Sequence, residues 1–292
     1  MSNIVISVSA TSDISKEVSQ EYGIAVAPME FSVDGVEQNT LNGVDLGEFY
    51  EKMRGGAITR TSQINVERAR EHLEALTKNG NDVLHFAISN HLSGTYDNFV
   101  TVASELEAQY GVKIRIVNSL SASCAITLMA VACANKKESV GDIEELFSYA
   151  EWLKNNTSAL FTVDSLTYLA RSGRVSKAAA LLGNAIKLKV AMRVDDSGAL
   201  VPYKKVLSRR RALSEIVMSA KMMYVPEFNE FFVAYADCLD EAQSVKAEIQ
   251  NELGVKVTLL PLGPVIGSHS GPGTLAIFFT SNGKDIKAIK EK

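Results

Sequence analysis

The chain has little of the chemistry that builds covalent or metal-based structure. Its 292 residues include three cysteines, Cys124, Cys133 and Cys238, which are scattered along the sequence and lack metal-ligand spacing. We therefore expect buried free thiols and no metal site. No run of about 18 apolar residues occurs, which predicts no membrane-spanning helix and no stable membrane insertion. The first ten residues, MSNIVISVSA, lack the basic region and apolar core of a signal peptide, so we expect a cytoplasmic protein.

The motifs of nucleotide and hydrolase chemistry are missing as well. There is no P-loop or kinase loop, and Gly271-Pro272-Gly273 leads into a strand pattern, whereas a dinucleotide fingerprint must open a helix. A nucleophile elbow needs a glycine two residues before its serine, and Ser93 has none there. We therefore expect no cofactor and no catalytic residue. A serine hydrolase that uses Ser93 and His269 stays open as an alternative.

What is present is an uneven distribution of charge. Residues 171–211 hold eleven Lys and Arg against Asp195 and Asp196, a net charge of +9, while the rest of the chain carries −13. Such a bias predicts a basic surface for an anionic partner, with solvated helix and strand faces as the alternative. Interleaved aromatic residues and a reading motif are absent, so we expect no nucleic acid partner.

Strand and helix patterns alternate along the chain, which predicts an α/β fold. Its length exceeds the usual size of one hydrophobic core, and we expect two domains, residues 1–160 and 161–292. The first should hold a parallel-rich sheet with helices on both faces. In the second, Asp195-Asp196-Ser197-Gly198 signals a hairpin between two strands.

Hydroxyl and imidazole side chains are concentrated in three short patches. Thr61-Ser62-Gln63 precedes a helix predicted to begin near Val66, and Ser93-Gly94-Thr95 precedes another. At such positions hydroxyls cap helices, although a helix N-terminus is equally a site for a carboxylate or phosphate. The third patch, Ser268-His269-Ser270, stands in a Gly/Pro-rich segment that we expect to be a loop. From local sequence, His269 either binds a ligand or hydrogen-bonds the backbone.

Four segments together resemble the DegV family in order and spacing along nearly the whole chain. They are TSQ at residues 61–63, LSGTY at 92–96, RSGRVSK at 171–177 and GPVIGSHSGPG at 263–273. The resemblance implies a two-domain fold, each domain a sheet flanked by helices. It also implies a long-chain fatty acid, palmitate-like or unsaturated, in a buried tunnel with its head group near the domain interface. The family includes the fatty-acid-binding subunits of bacterial fatty acid kinase, whose separate ATP-dependent subunit phosphorylates the bound carboxylate to an acyl phosphate.

Carried onto this sequence, the resemblance assigns three roles. The carboxylate ligands fall on Thr61, Ser93 and His269. The supporting head-group residues are Ser62, Gly94, Thr95 and Ser270. The kinase-facing surface falls on Arg174, with Arg171 and Lys177 beside it, in the basic region described above.

The sequence also departs from the family pattern. The usual TDSTADL of the first strand reads VSATSDI at residues 8–14, TSQPS becomes TSQIN, and KvRt becomes Lys205-Val206-Leu207-Ser208. The head-group residues survive, whereas some surrounding and surface positions do not. Because of Ser9, Ala10 and Leu207, a fatty-acid carrier or sensor without a kinase partner stays open beside the kinase subunit.

Overall fold

The computed structural model describes residues 3–175 and 189–284. The first part of the described chain builds a parallel sheet of order β2-β1-β6-β7 and a small antiparallel sheet of order β4-β3-β5. Their strands are β1 (Ile4–Ser9), β2 (Ala25–Ala27), β3 (Glu30–Val33), β4 (Val36–Asn39), β5 (Thr59–Thr61), β6 (Asp82–Ala87) and β7 (Ile114–Asn118). Their helices are α1 (Lys16–Glu21), α2 (Leu46–Arg54), α3 (Val66–Thr77), α4 (Thr95–Tyr110), α5 (Cys124–Lys136) and α6 (Ile143–Asn155).

The later part builds a mixed sheet of order β10-β9-β8-β13-β11-β12, in which only β11 and β12 pair in parallel among the described strands. Its strands are β8 (Thr157–Thr162), β9 (Lys189–Val194), β10 (Leu200–Val206), β11 (Glu230–Tyr235), β12 (Lys256–Pro261) and β13 (Leu275–Thr280). Its helices are α7 (Thr167–Arg171), α8 (Arg209–Met223), α9 (Leu239–Leu253) and α10 (Pro264–Ser270).

Local sequence explains most of these elements. The strand β6 is buried along its whole length, as the inner strand of a parallel sheet must be. The helix α3 begins where the Asn65 side chain accepts a hydrogen bond from the Arg68 amide, and it buries Ala69 and Leu73 on one face. The helix α5 is apolar on every side, and it lies between the sheets in contact with β1, β11 and β13.

The predicted α/β class, with each sheet flanked by helices, is confirmed. The hairpin predicted at residues 195–198 joins β9 to β10, with Gly198 at φ +81°. The predicted division between residues 160 and 161 falls inside β8, and the domain boundaries stay a prediction. Among the described residues no helix is long and apolar enough to cross a membrane.

Candidate functional site

A cavity of about 520 Å³ lies between the parallel sheet and the mixed sheet. Thr11, Ile88 and Ala122 line it from the loops that follow β1, β6 and β7. These loops leave the carboxyl ends of three parallel strands, the edge at which open α/β sheets bind their ligands. The volume falls in the range of roughly 300–1,000 Å³ that is usual for small-molecule sites.

Most of the cavity wall is apolar, and strand alternation explains why. Ala159 and Phe161 of β8 and Ala276 and Phe278 of β13 face the cavity, while Ile277 packs in the core on the opposite face. In the ladder Ala276 pairs with Phe161, and Phe278 pairs with Ala159, so each large side chain stands opposite a small one. The wall therefore has room beside each ring for a narrow apolar ligand.

One part of the cavity wall carries the polar residues predicted from the sequence. Thr61, Ser93 and His269 all line the cavity and are half-buried. Thr61 Oγ1 lies 2.7 Å from His269 Nε2, although 208 residues separate the two in sequence. Ser93 Oγ lies 3.0 Å from Thr95 Oγ1. The fold thus brings the first and last polar patches into direct contact, with Ser93 on the wall of the same cavity.

The supporting residues divide into two groups. Ser62, Gly94 and Ser270 line the cavity. Thr95 is buried and does not line it; its hydroxyl accepts a hydrogen bond from the Ile64 amide at 3.2 Å. Thr95 therefore ties the segment that follows Thr61 to the loop that carries Ser93.

One local prediction about these patches was wrong, and one of the open alternatives is excluded. His269 lies on the short helix α10 and not in a loop, because Gly263 and Pro264 begin a helical turn that ends at Gly271, φ +80°. Thr61 and Ser62 do not cap α3, because Thr61 ends strand β5 and Asn65 takes the cap. The hydroxyl of Thr61 is therefore free of a capping role.

The protonation state of His269 follows from its surroundings. Burial, together with the nearby Arg174 guanidinium, lowers the pKa of His269 to about 4, so the ring is neutral near pH 7. Its Nδ1 is buried and has no hydrogen-bond partner among the described residues. An unpartnered buried N–H is rarer in proteins than an unpartnered acceptor, which favours the tautomer with hydrogen on Nε2. In that tautomer Nε2–H donates to Thr61 Oγ1, and the Thr61 hydroxyl proton is left to donate to a ligand.

The predicted docking residues are partly described. Arg174 is exposed and lines the cavity, and its Nε donates to the Leu92 carbonyl oxygen at 3.3 Å. The guanidinium of Arg171 lies 5.2 Å from the centroid of the Tyr168 ring. Lys177 lies outside the described residues. Arg174 thus connects the basic region to the polar part of the cavity.

The geometry offers no support for the serine hydrolase. The hydrogen-bond partner of Ser93 Oγ is Thr95, and that of the His269 ring is Thr61. A serine nucleophile needs a base within hydrogen-bond reach, and within the described part of the chain Ser93 has none. In the same residues, no group of three or more His, Cys, Asp or Glu could hold a metal ion.

Sequence reasoning missed three residues that shape this site: Asp13, Tyr50 and Ser123. The Ser123 hydroxyl donates to Asp13 Oδ2 at 2.6 Å, and Ser123 itself lines the cavity. The Tyr50 hydroxyl donates to the Leu262 carbonyl oxygen at 2.8 Å, just before α10. Local sequence carries no signal for these contacts, because each joins residues more than 100 positions apart.

Comparison with known proteins shows which family this chain is similar to. Residues 3–282 match the profile of a family described as "Uncharacterised protein, DegV family". A DegV domain-containing protein of Clostridium perfringens is 32% identical over 290 residues, covering 98% of this chain and 100% of the relative.

Solved structures show the same fold over almost the whole chain. A DegV lipid-binding protein of Thermotoga maritima is 26% identical, with a TM-score of 0.82 and coverage of 97% of this chain and 100% of that one. DegV of Bacillus subtilis, described as a fatty acid binding protein, is 25% identical, with a TM-score of 0.82 and coverage of 96% and 100%.

Proposed function

The chain belongs to the DegV family, and on that premise we propose that it binds a long-chain fatty acid in its cavity and presents the carboxylate to a separate ATP-dependent kinase subunit. One observation carries the proposal: an apolar cavity that also holds Thr61, Ser93 and His269. The lipid-binding and fatty-acid-binding descriptions of the Thermotoga and Bacillus relatives support the choice of ligand.

Affinity and orientation come from different parts of the ligand. At ~0.8 kcal/mol per buried CH₂, a tail of about fifteen methylenes gains up to roughly 12 kcal/mol before ordering costs. A hydrogen bond to a charged group contributes only about 1.5–3 kcal/mol. The tail therefore retains the ligand, while the hydroxyls of Thr61 and Ser93 set the direction of the carboxylate.

Phosphoryl transfer to this ligand needs no base from the chain. A carboxylate oxygen attacks the γ-phosphorus of ATP, a new O–P bond forms, and the bond to the departing ADP oxygen breaks. The nucleophile is already an anion, so no proton has to be removed from it. What the chain supplies is position, and Arg174 at the polar part of the cavity supplies a positive charge. Neutral His269 acts through its hydrogen bond to Thr61 and not as a counter-ion.

Lipid extraction and mass spectrometry of the purified protein test the binding step. We expect one long-chain fatty acid per chain, and an empty cavity after expression in cells rich in fatty acid would refute the proposal. Ala276→Phe replaces a small side chain of the cavity wall by a ring that occupies the cavity, so the purified variant should hold no lipid. Ile277→Val on the opposite face of the same strand is the matched control and should keep it.

A carrier or sensor without a kinase partner is the second candidate, and Leu207 favours it. The position at which the family carries arginine is here a leucine that is 65% exposed. Lipid-loaded protein should be mixed with a bacterial fatty acid kinase subunit and labelled ATP, and any acyl phosphate trapped with hydroxylamine. Hydroxamate that requires both proteins supports the kinase subunit. Retained fatty acid without hydroxamate supports the carrier.

A further inference from the structure

The helix that carries His269 belongs to the later half of the sequence but also packs on the earlier half. It follows strand β12 and contacts α7 of the later half, together with α2, β3 and β5 of the earlier half. The Thr59 hydroxyl donates to the Ser268 carbonyl oxygen at 3.4 Å, next to the Thr61–His269 contact. A Cβ on Gly267 would overlap the Tyr50 ring. With seven residues, α10 is too short to be stable alone, so these contacts set its position.

At the start of α10 a single carboxyl group joins three elements. Asp13 follows β1 in the left-handed conformation, φ +53°, and is 8% exposed. Its Oδ1 accepts from the Gly263 amide at 2.9 Å, and Gly263 is the N-cap residue of α10. Its Oδ2 accepts from the Ser123 hydroxyl, and Ser123 is the N-cap residue of α5. Asp13 therefore links the loop after β1 to the first residues of both helices.

Among the described residues no cationic side chain pairs with Asp13, whose charge is met by these two hydrogen bonds at the N-termini of α5 and α10. The titratable groups that sense its charge are Tyr50 on α2 and Cys124 on α5, and both are acids that stay neutral near pH 7. Burial raises the pKa of Asp13 to about 7, against the lowering effect of Ser123 and Gly263. A buried carboxyl group destabilises a fold unless it is hydrogen-bonded. The hydrogen bonds to Ser123 and Gly263 are therefore the contribution that Asp13 makes to the fold.

We propose that Asp13 is a positioning residue, which holds the first turn of α10 against the parallel sheet and so keeps His269 on Thr61. The consequence for the ligand rests on the proposed fatty-acid binding: without Asp13 the tail stays buried, but the carboxylate loses its fixed direction. Asp13 touches no ligand in this account, because Thr11 and Ser123, but not Asp13, line the cavity.

The pKa and the tautomer of the His269 imidazole test the proposal in protein that holds no ligand. In delipidated protein labelled with ¹⁵N at histidine, wild type should show a neutral ring with hydrogen on Nε2 and a pKa near 4. Asp13→Ala should move the pKa of His269 upward by at least about one unit, toward its ordinary value near 6.5, because the loosened ring gains water. Asp13→Asn, which can still accept from Gly263, should restore the wild-type signals.

Matched variants separate positioning from loss of stability. Asp142→Ala removes another carboxylate that accepts from helix amides, at the start of α6, and should leave His269 unchanged. Gly263→Ala perturbs the contact between Asp13 and Gly263 while leaving the carboxyl group in place, because its Cβ would lie 3.0 Å from Asp13 Oδ1. It should shift His269 in the same direction as Asp13→Ala, and it decides the question should Asp13→Ala not fold.

Dissociation of cis-parinaric acid measures the effect on the ligand. Asp13→Ala should release it at least about tenfold faster, the equivalent of one lost hydrogen bond of roughly 1.4 kcal/mol, while Asp13→Asn should stay close to wild type. His269 signals unchanged in both Asp13→Ala and Gly263→Ala overturn the proposal. Absence of binding in wild type instead overturns the proposed function, and the imidazole signals still decide the role of Asp13.

Discussion

The pH dependence of stability offers a quantitative test of Asp13 that needs no ligand. The pKa of Asp13 rises from 3.8 in the unfolded chain to about 7 in the fold, because burial disfavours the charged form. Between these values the folded state holds a proton that the unfolded state has lost. The contribution is therefore fully present below pH 4 and is lost as the pH rises to about 7. At 1.36 kcal/mol per pKa unit, about three units correspond to about 4 kcal/mol.

Asp13→Asn removes this titration, since an amide carries no proton in this range. Other groups act in the opposite direction: the pKa of His72 and that of His269 are lowered to about 4 by burial, so they favour the fold at higher pH. Their effect is common to both proteins and cancels in the difference between wild type and variant. That difference in unfolding free energy should shift by about 3 kcal/mol, in favour of the variant, from pH 4 to pH 7.

Urea unfolding of delipidated protein at intervals of one pH unit gives the required curves. Ser123→Ala, which removes a hydrogen bond but leaves the carboxyl, is a useful companion and should retain the pH-dependent loss of stability. Wild-type and Asp13→Asn curves that run parallel from pH 4 to pH 8 would show that Asp13 is ionised throughout, and the reasoning on its burial would be wrong.

Other predictions concern the cavity and α10. Thr61→Val removes the hydroxyl and should speed release of cis-parinaric acid roughly 10- to 100-fold, from a loss of about 1.5–3 kcal/mol. Thr61→Ser keeps the hydroxyl and should stay close to wild type, and equal rates for the two variants would remove Thr61 from the site. Gly267→Ala should lower the unfolding free energy by about 1–3 kcal/mol through overlap with Tyr50. In a Tyr50→Phe background the overlap is smaller, and an undiminished penalty would contradict this packing argument.

Local sequence predicted the regular elements well, because their causes are local. The mostly apolar sequence of β6 and the spaced apolar residues of α3 each indicate the right structure. The short helix α10 escaped prediction, because its segment is rich in Gly, Ser and Pro and depends on contacts with Tyr50 and Thr59. The N-terminal cap of α3 lies at Asn65, a few residues after Thr61 and Ser62, because pairing with β3 keeps Thr61 in strand β5.

The candidate site, too, was predicted only in part from the sequence. Residue types and spacing by themselves marked Thr61, Ser93 and His269 as candidates, and family resemblance supplied their common purpose. Only the tertiary structure brought His269 Nε2 to Thr61 Oγ1, made the ring neutral by burial and revealed Asp13 as the link to α10. Sequence encodes what each side chain can do, whereas distance and desolvation arise only when segments more than 200 residues apart are packed together.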